Sequence, residues 1–221
     1  MEFHLMPNHI QTHWVYAPRI MNYDELVTPG LLGRHFCFRC KSHPFAYTQP
    51  VQLQIEGKAK YPDFLLCGHW PLFLISDDVA LALEENHING YVLHPTTIIP
   101  AANNTHPPKQ YHALEVTRHI PLDFNAMGVK VLAHCNKCNQ AQYDKQTWQF
   151  GEAQYEPPEY TSSFFTFQYF PCGVCCTYDV ALLLAQKQFK GLRITDAKYN
   201  FTSAVQLPKP YTYKMLRDLD Q

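Results

Sequence analysis

Two stretches of this chain share one order of apolar and polar positions, ISDDVALALEENHINGYVLHP (75–95) and CTYDVALLLAQKQFKGLRITD (176–196). The run DVAL is identical in both, and aligning it without a gap places the stretches 101 positions apart. The matching apolar positions are Val79, Ala82, Leu83 and Ile88 in the first stretch and Val180, Leu183, Leu184 and Phe189 in the second. Their spacing is typical of one face of an α-helix. The pattern therefore predicts a duplicated helix, which indicates two related lobes.

Matching residues mark both ends of each predicted helix. Ser76 and Thr177 stand where an N-cap is expected, because their hydroxyl groups can accept from the first backbone amides. Gly90 and Gly191 stand where a residue with positive φ would close the helix. Alternating residues follow each glycine, and PLFLI (71–75) before the first helix is also strand-like. Each copy is thus predicted to be a β-α-β unit.

Shorter signals complete the predicted fold, which is α+β. The remaining predicted strands are YHALEVTRHIPLDF (111–124), VKVLAHC (129–135) and TSSFFTFQYF (161–170). Proline-rich stretches at 94–110 and 152–160 predict loops, and the tail from 207 onward predicts a short final helix or a loose end. The first loop is the best linker between an N-terminal lobe, 1–100, and a C-terminal lobe, 101–221, although one integrated domain also fits the pattern.

Composition narrows the class of protein. The chain has 221 residues, 46% of them hydrophobic, which is enough to bury a substantial core. Lys plus Arg number 18 against 19 for Asp plus Glu, so there is no excess positive charge to favour nucleic acid or an anionic membrane. The N-terminus lacks a secretory pattern and no apolar run is long enough to span a bilayer. We expect a cytoplasmic protein with neither nucleic acid nor membrane as its partner.

Four of the eight cysteines form two Cys-x-x-Cys units, Cys37 with Cys40 and Cys135 with Cys138. In a reducing compartment such pairs point to metal or redox chemistry rather than to disulfides. Two residues between cysteines let both thiolates converge on one ion, and two such knuckles supply the four sulfurs of a closed tetrahedral zinc site. The sequence thus predicts a structural zinc, held like that of a zinc ribbon, that braces the two lobes.

Three other interpretations of the cysteines remain open. Two local metal sites could form, one from Cys37, Cys40, Cys67 and His69 and the other from Cys135, Cys138, Cys172 and Cys175. A thioredoxin-like redox centre also uses Cys-x-x-Cys, but Pro44 soon after the first pair does not suit the helix that such a centre opens. Cys67, Cys172, Cys175 and Cys176 can also be plain buried apolar residues, which we favour for these four.

No catalytic motif accompanies the cysteines. The twelve histidines are scattered, and the chain contains no H-E-x-x-H, nucleophile elbow, P-loop or glycine-rich dinucleotide turn. Asp63 and His69 lie near Cys67, but a buried aromatic segment with a satisfied polar residue explains that stretch equally well. We expect a protein that is not an enzyme. A zinc-ribbon module associated with nucleic acid and a thiol or metal enzyme remain the alternatives.

The order of these features resembles the double-CXXCG motif proteins of bacteria. The resemblance rests on TPGLLGRHFCFRC (28–40), YPDFLLCGHWPLFLISDDVALALEENHINGYVLHP (61–95), HCNKC (134–138) and CTYDVALLLAQKQFKGLRI (176–194). Lys41 and Asn139 stand where that family has glycine. The family is similar to immunity proteins encoded beside polymorphic, contact-dependent toxins. The resemblance implies a cytosolic protein that binds and neutralises a cognate protein toxin.

Overall fold

In the residues that the structure describes, strands dominate and three short helices lie among them, so the fold is α+β. The structure is a computed structural model, and it describes residues 2–10, 12–14, 51–55, 61–67, 72–100, 109–136, 141–144, 154–156, 159, 162–167, 170–197 and 210–220. In these ranges, every helix is too short or too polar to cross a membrane.

The described part of the chain contains thirteen strands and three α-helices. The strands are β1 Glu2–Ile10, β2 Thr12–Trp14, β3 Val51–Ile55, β4 Phe64–Cys67, β5 Leu72–Ser76, β6 Tyr91–Pro100, β7 Tyr111–Val116, β8 His119–Ile120, β9 Val131–His134, β10 Ala141–Tyr143, β11 Phe164–Phe167, β12 Phe170–Thr177 and β13 Leu192–Asp196. The helices are α1 Asp77–Glu85, α2 Tyr178–Gln186 and α3 Tyr213–Arg217, and a 3₁₀ turn at Asp218–Asp220 follows α3.

Eleven of these strands form one sheet, and β9 and β10 form a separate hairpin. The order in the large sheet is β2-β3-β6-β7-β5-β4-β1-β12-β11-β8, with β13 paired to β1. The N-terminal strand β1 joins the two halves of the sheet. It pairs antiparallel with both β12 and β13, and its last residues, from Asn8 to Ile10, pair in parallel with β4. The hydrophobic pattern did not predict β1.

The duplication predicted from the sequence has a direct structural counterpart. We call β4, β5, α1 and β6 the first copy, and β11, β12, α2 and β13 the second copy. The two longer helices have bounds that differ by 101 positions at both ends, as the alignment predicts. In each copy the strands before and after the helix are parallel, and one strand antiparallel to both lies between them. That strand is β7 in the first copy and β1 in the second. Each copy is therefore a split β-α-β unit.

The predicted cap residues occupy the N-cap positions, but their hydroxyl groups have other partners. Ser76 and Thr177 have extended backbones, with φ of −72° in both, and neither side chain caps its helix. The Ser76 hydroxyl donates to the carboxylate of Asp63 at 3.1 Å, and the Thr177 hydroxyl accepts from the amide of Ser163 at 3.0 Å. In both copies, the N-cap residue is therefore hydrogen-bonded to the residue just before the first strand of the same copy.

The helices end before the glycines predicted to close them. His87 and Gln188 take the left-handed conformation, with φ of 54° and 55°, just after α1 and α2. The amides of His87 and Ile88 bond back to the carbonyls of Glu84 and Leu83, which is a Schellman motif. Gly90 and Gly191 also have positive φ, 84° and 87°, but they lie at the entry to the next strand.

Both copies contribute to one hydrophobic core. Its buried members come from the helices and strands of both copies and from β7 and α3: Phe64, Phe73, Ile75, Val79, Leu83, Ile88, Leu114, Phe164, Cys176, Val180, Ala181, Leu184, Ile194 and Leu216. A second cluster on the other face of β11 and β12 contains Ile120, Leu122, Phe165, Phe167, Cys175 and Ala197. Successive residues of a strand point to opposite faces, so neighbours such as Phe164 and Phe165 enter different clusters. The division into 1–100 and 101–221 stays a prediction.

The proline-rich stretch 94–110 is not a loop throughout. Strand β6 continues to Pro100, pairing with β7 as far as Thr96 and in parallel with β3 from Thr96 onward. The expectation of a loop is therefore wrong for 94–100, while 101–108 lie outside the described residues. The predicted strands at 111–124, 129–135 and 161–170 contain β7, β8, β9 and β11, and the tail contains α3.

Candidate functional site

Strands β9 and β10 pair antiparallel, with His134 opposite Ala141. Cys135 is the first cysteine of the second Cys-x-x-Cys unit. Cys135 directly follows β9 and is 4% exposed. The role of Cys135 as a zinc ligand stays a prediction.

The other predicted zinc ligands cannot be placed in the same way. Cys37, Cys40 and Cys138 lie outside the described residues, as does His69. Of the alternative ligands, Cys67 ends β4 and Cys172 lies in β12. Within the described ranges no three His, Cys, Asp or Glu side chains are grouped to hold a metal ion. The four-cysteine site and the two local sites both stay predictions.

Cys175 and Cys176 are buried on opposite faces of β12. Cys175 lies in the cluster with Phe165 and Phe167, and Cys176 lies in the main core with Phe164. Burial raises the pKa of the Cys176 thiol well above its usual range, because a thiolate would lose its solvation there. The thiolate is the reactive form of cysteine, so this environment suits an inert packing residue. Both positions fit the interpretation as buried apolar residues.

Asp63 is a buried carboxylate that accepts hydrogen bonds from three other residues. Its Oδ1 accepts from Lys109 Nζ at 2.5 Å and from the Ser76 hydroxyl, and its Oδ2 accepts from the amide of Lys190 at 2.7 Å. Burial alone would raise the pKa of this carboxyl group, but the bonds from Lys109 and Lys190 and the charge of Lys109 lower it overall. Both oxygens are engaged, so Asp63 is a satisfied structural carboxylate. It ties the first copy to the second.

The second copy makes a matching contact with the first. The carbonyl of Lys190, just before Gly191, accepts from the amides of Asp63 and Phe64. In the same way the carbonyl of Asn89, just before Gly90, accepts from the amide of Phe164. We call these reciprocal contacts, between the residue before each glycine and the first strand of the other copy, the cross-copy clasp.

Aromatic rings add to the cross-copy clasp. Phe189 of the second copy meets Phe64 of the first edge to face, with ring centroids 6.2 Å apart. Tyr91 of the first copy meets Phe164 of the second at 5.5 Å, also edge to face. Such pairs stabilise beyond the burial of their area, by about 0.5–1.5 kcal/mol each. The two copies therefore hold each other by bonds and by packing.

A histidine of β6 and a histidine of β7 each lie within hydrogen-bonding distance of a carboxylate. His94 Nε2 lies 2.6 Å from a carboxylate oxygen of Glu115, and His112 Nε2 lies 2.6 Å from Asp77 at the start of α1. Burial lowers the pKa of His119, and the charge of Glu115 partly opposes that shift. These pairs connect neighbouring strands and connect β7 with α1.

Sequence reasoning missed most of the clasp residues. Asp63 was recognised only as a polar residue in a buried aromatic segment, and Lys190 and Asn89 were not singled out. Their roles depend on contacts between residues far apart in the chain, for which a single sequence carries no local signal. The available signal was the duplication itself, which places Asn89 and Lys190 at matching positions.

No protein-family model matches the chain, and no curated protein matches it. The resemblance to double-CXXCG motif proteins therefore stays a prediction from the quoted motifs.

Proposed function

We propose that this chain is a cytosolic immunity protein that binds and neutralises a cognate bacterial toxin through protein–protein contact, on a scaffold braced by structural zinc. The observation that carries the proposal is the buried Cys135, the first cysteine of the second Cys-x-x-Cys unit, which directly follows β9. In this proposal the two copies belong to two lobes, 1–100 and 101–221, and the ion joins them through Cys37, Cys40, Cys135 and Cys138.

The chemistry of the described buried groups supports a binding role. Both oxygens of Asp63 are engaged by donors, and Cys175 and Cys176 pack in apolar clusters. A catalytic group needs access to substrate and a pKa suited to proton transfer or attack. A binding protein needs instead a rigid scaffold, which the cross-copy clasp and the shared core provide.

Metal content is the first test. Native mass spectrometry of the wild-type protein and of Cys135→Ser should show one zinc per chain that the variant loses, because removing one of four sulfurs opens the site. Cys176→Ala is the matched control, since Cys176 is buried in the core, and it should keep the zinc. Two ions falling to one would select the two local sites instead. A wild-type protein without metal would contradict the zinc site.

Protection of cells is the second test. A toxin gene beside the gene for this chain should encode a protein that this chain binds and inhibits. Cells that express the toxin should grow when the wild-type protein is co-expressed. The purified toxin and the purified wild-type protein should elute together as a complex in size-exclusion chromatography. Growth arrest despite folded wild-type protein would contradict the immunity role. Salt-dependent binding to DNA or RNA would favour the zinc-ribbon alternative.

A further inference from the structure

In the described part of the chain, α3 covers the outer side of α2, and no element covers the matching side of α1. The C-terminal helix α3 packs on α2, where the Tyr178 hydroxyl donates to the carbonyl of Leu216 at 2.8 Å. The Leu216 side chain is fully buried in the shared core. Leu182 lies one turn after Tyr178 on the same side of α2 and is partly buried against that core.

The positions of α1 that match Tyr178 and Leu182 are Asp77 and Leu81. Leu81 is 56% exposed, the most exposed large hydrophobic residue of α1. Its inward neighbours Val79 and Leu83 are buried as fully as Val180 and Leu184, their counterparts on α2. The difference between the helices is on the outer side, where no described element of the chain takes the place of α3.

Acidic residues surround Leu81. Asp77, Asp78, Glu84 and Glu85 are all exposed, and α1 has no basic residue in its last turn. Asp77 pairs with His112 at the start of the helix, but in the described part of the chain neither Glu84 nor Glu85 has a cationic partner. Carboxylates in the last turn also face the negative end of the helix dipole, which is unfavourable. On α2 the matching residues are the neutral Ala185 and Gln186.

We propose that the outer face of α1, formed by Leu81, Glu84 and Glu85, is the surface on which this protein binds a basic partner protein. The partner would place an apolar side chain on Leu81, as α3 places one against α2, and cationic side chains beside the two glutamates. Their positive charge would offset the repulsion between the glutamates and the helix dipole. This inference rests on the proposed function, since the basic partner is the neutralised toxin.

A defined probe tests the chemistry of the face. The probe is a synthetic amphipathic helix of lysine and leucine, added to wild-type protein with labelled leucine methyl groups. The Leu81 methyl signals should shift most, while those of Leu182 should stay in place because that position is covered in this chain. Glu84→Lys with Glu85→Lys should abolish the shifts. Glu156→Lys with Glu159→Lys, which reverses two exposed glutamates elsewhere, is the matched control and should preserve them. Shifts centred away from Leu81, or none at all, would overturn the inference.

Binding measurements with the toxin distinguish a wrong binding surface from a wrong proposed function. With the toxin encoded beside this chain, the Glu84→Lys, Glu85→Lys variant should raise the Kd at least about tenfold, and the control variant should change it less than about twofold. A toxin that binds wild type and both variants equally overturns the face and leaves the immunity role standing. A toxin that does not bind wild type at all removes the immunity role and this inference with it. If sedimentation shows that wild type is a dimer and that the Glu84→Lys, Glu85→Lys variant is a monomer, the α1 face binds a second copy of this chain. That result would overturn the assignment of the face to a basic toxin.

Discussion

Gly191 and Gly90 are placed where a side chain would collide with the other copy of the repeat. A Cβ added at Gly191 would lie 2.6 Å from the carbonyl oxygen of Phe64, and one at Gly90 would lie 2.2 Å from that of Phe164. Both glycines also have positive φ, at which an L-residue is strained. Gly128 has a similar φ of 66°, but a Cβ there would meet nothing within 4 Å.

Alanine at these glycines should therefore separate backbone strain from collision. Gly128→Ala should lower the free energy of unfolding by about 1 kcal/mol, from strain alone. Gly191→Ala should lower it by at least about 2 kcal/mol, because the backbone of the first copy must also shift. Urea unfolding of both variants and of wild type measures the difference. Equal losses in the two variants would contradict the close approach of the two copies.

Asp63 gives the clasp a defined dependence on pH. The pKa of its carboxyl group is lowered in the folded protein, mainly by hydrogen bonds from Lys109 and Lys190 against the opposing effect of burial. A lowered pKa contributes stability that is present above the unfolded-state pKa, about 3.9 for Asp, and is lost as the pH falls through the folded-state pKa. Asp63→Asn should therefore lower the free energy of unfolding by about 1–3 kcal/mol at neutral pH and reduce its fall in acid.

The control for Asp63 is a carboxylate near the same lysine. Asp78 lies 3.7 Å from Lys109 Nζ, but its side chain is 74% exposed, so Asp78→Asn should have little effect at either pH. Denaturant unfolding at neutral pH and near pH 3 measures both variants. If Asp63→Asn loses as much stability between the two pH values as wild type, Asp63 is not the group whose protonation weakens the clasp.

At the scale of elements, what the sequence predicts depends on how local the interactions are. The helices were predicted because their apolar spacing of three and four lies within a few turns of chain. The strand β1 and the end of β6 were not, because their strand character comes from distant partners such as β13 and β3. Ser76 was placed correctly as an N-cap, but the bond of its hydroxyl to Asp63 depends on the fold of the preceding strand.

The docking of α3 on α2 should contribute strongly to stability although α3 is short. Leu216 is fully buried, so Leu216→Ala should lower the free energy of unfolding by about 2–5 kcal/mol. Tyr178→Phe removes the bond to the Leu216 carbonyl and should cost about 1 kcal/mol. Met215→Ala, at an exposed position of the same helix, is the control and should cost much less. Comparable losses for Leu216→Ala and Met215→Ala in thermal unfolding would contradict this docking.

At the scale of the whole molecule, the sequence predicted the duplication better than it predicted how the copies combine. The bounds of α1 and α2 differ by the same 101 positions as the two aligned stretches. A repeat can nevertheless form two separate cores or one shared core, and periodicity within each copy does not distinguish them. Here Val79 and Leu83 of α1 share a core with Val180 and Leu184 of α2. Of the four predicted zinc ligands, Cys135 is the one within the described residues, and its zinc role stays a prediction because a shared site would depend on contacts between segments far apart in sequence.

A shared core predicts that the two copies unfold together. Leu83→Ala in α1 and Leu184→Ala in α2 should each lower the free energy of unfolding of the whole molecule by about 2–5 kcal/mol, because both side chains are almost fully buried in one cluster. The denaturant midpoint of each variant should fall accordingly. Protection of backbone amides from hydrogen exchange should then fall equally in α1 and α2 for either variant, since the clasp joins Lys190 to Asp63 and Asn89 to Phe164. Two separate unfolding transitions, each sensitive to only one variant, would show instead that the clasp is too weak to couple the copies.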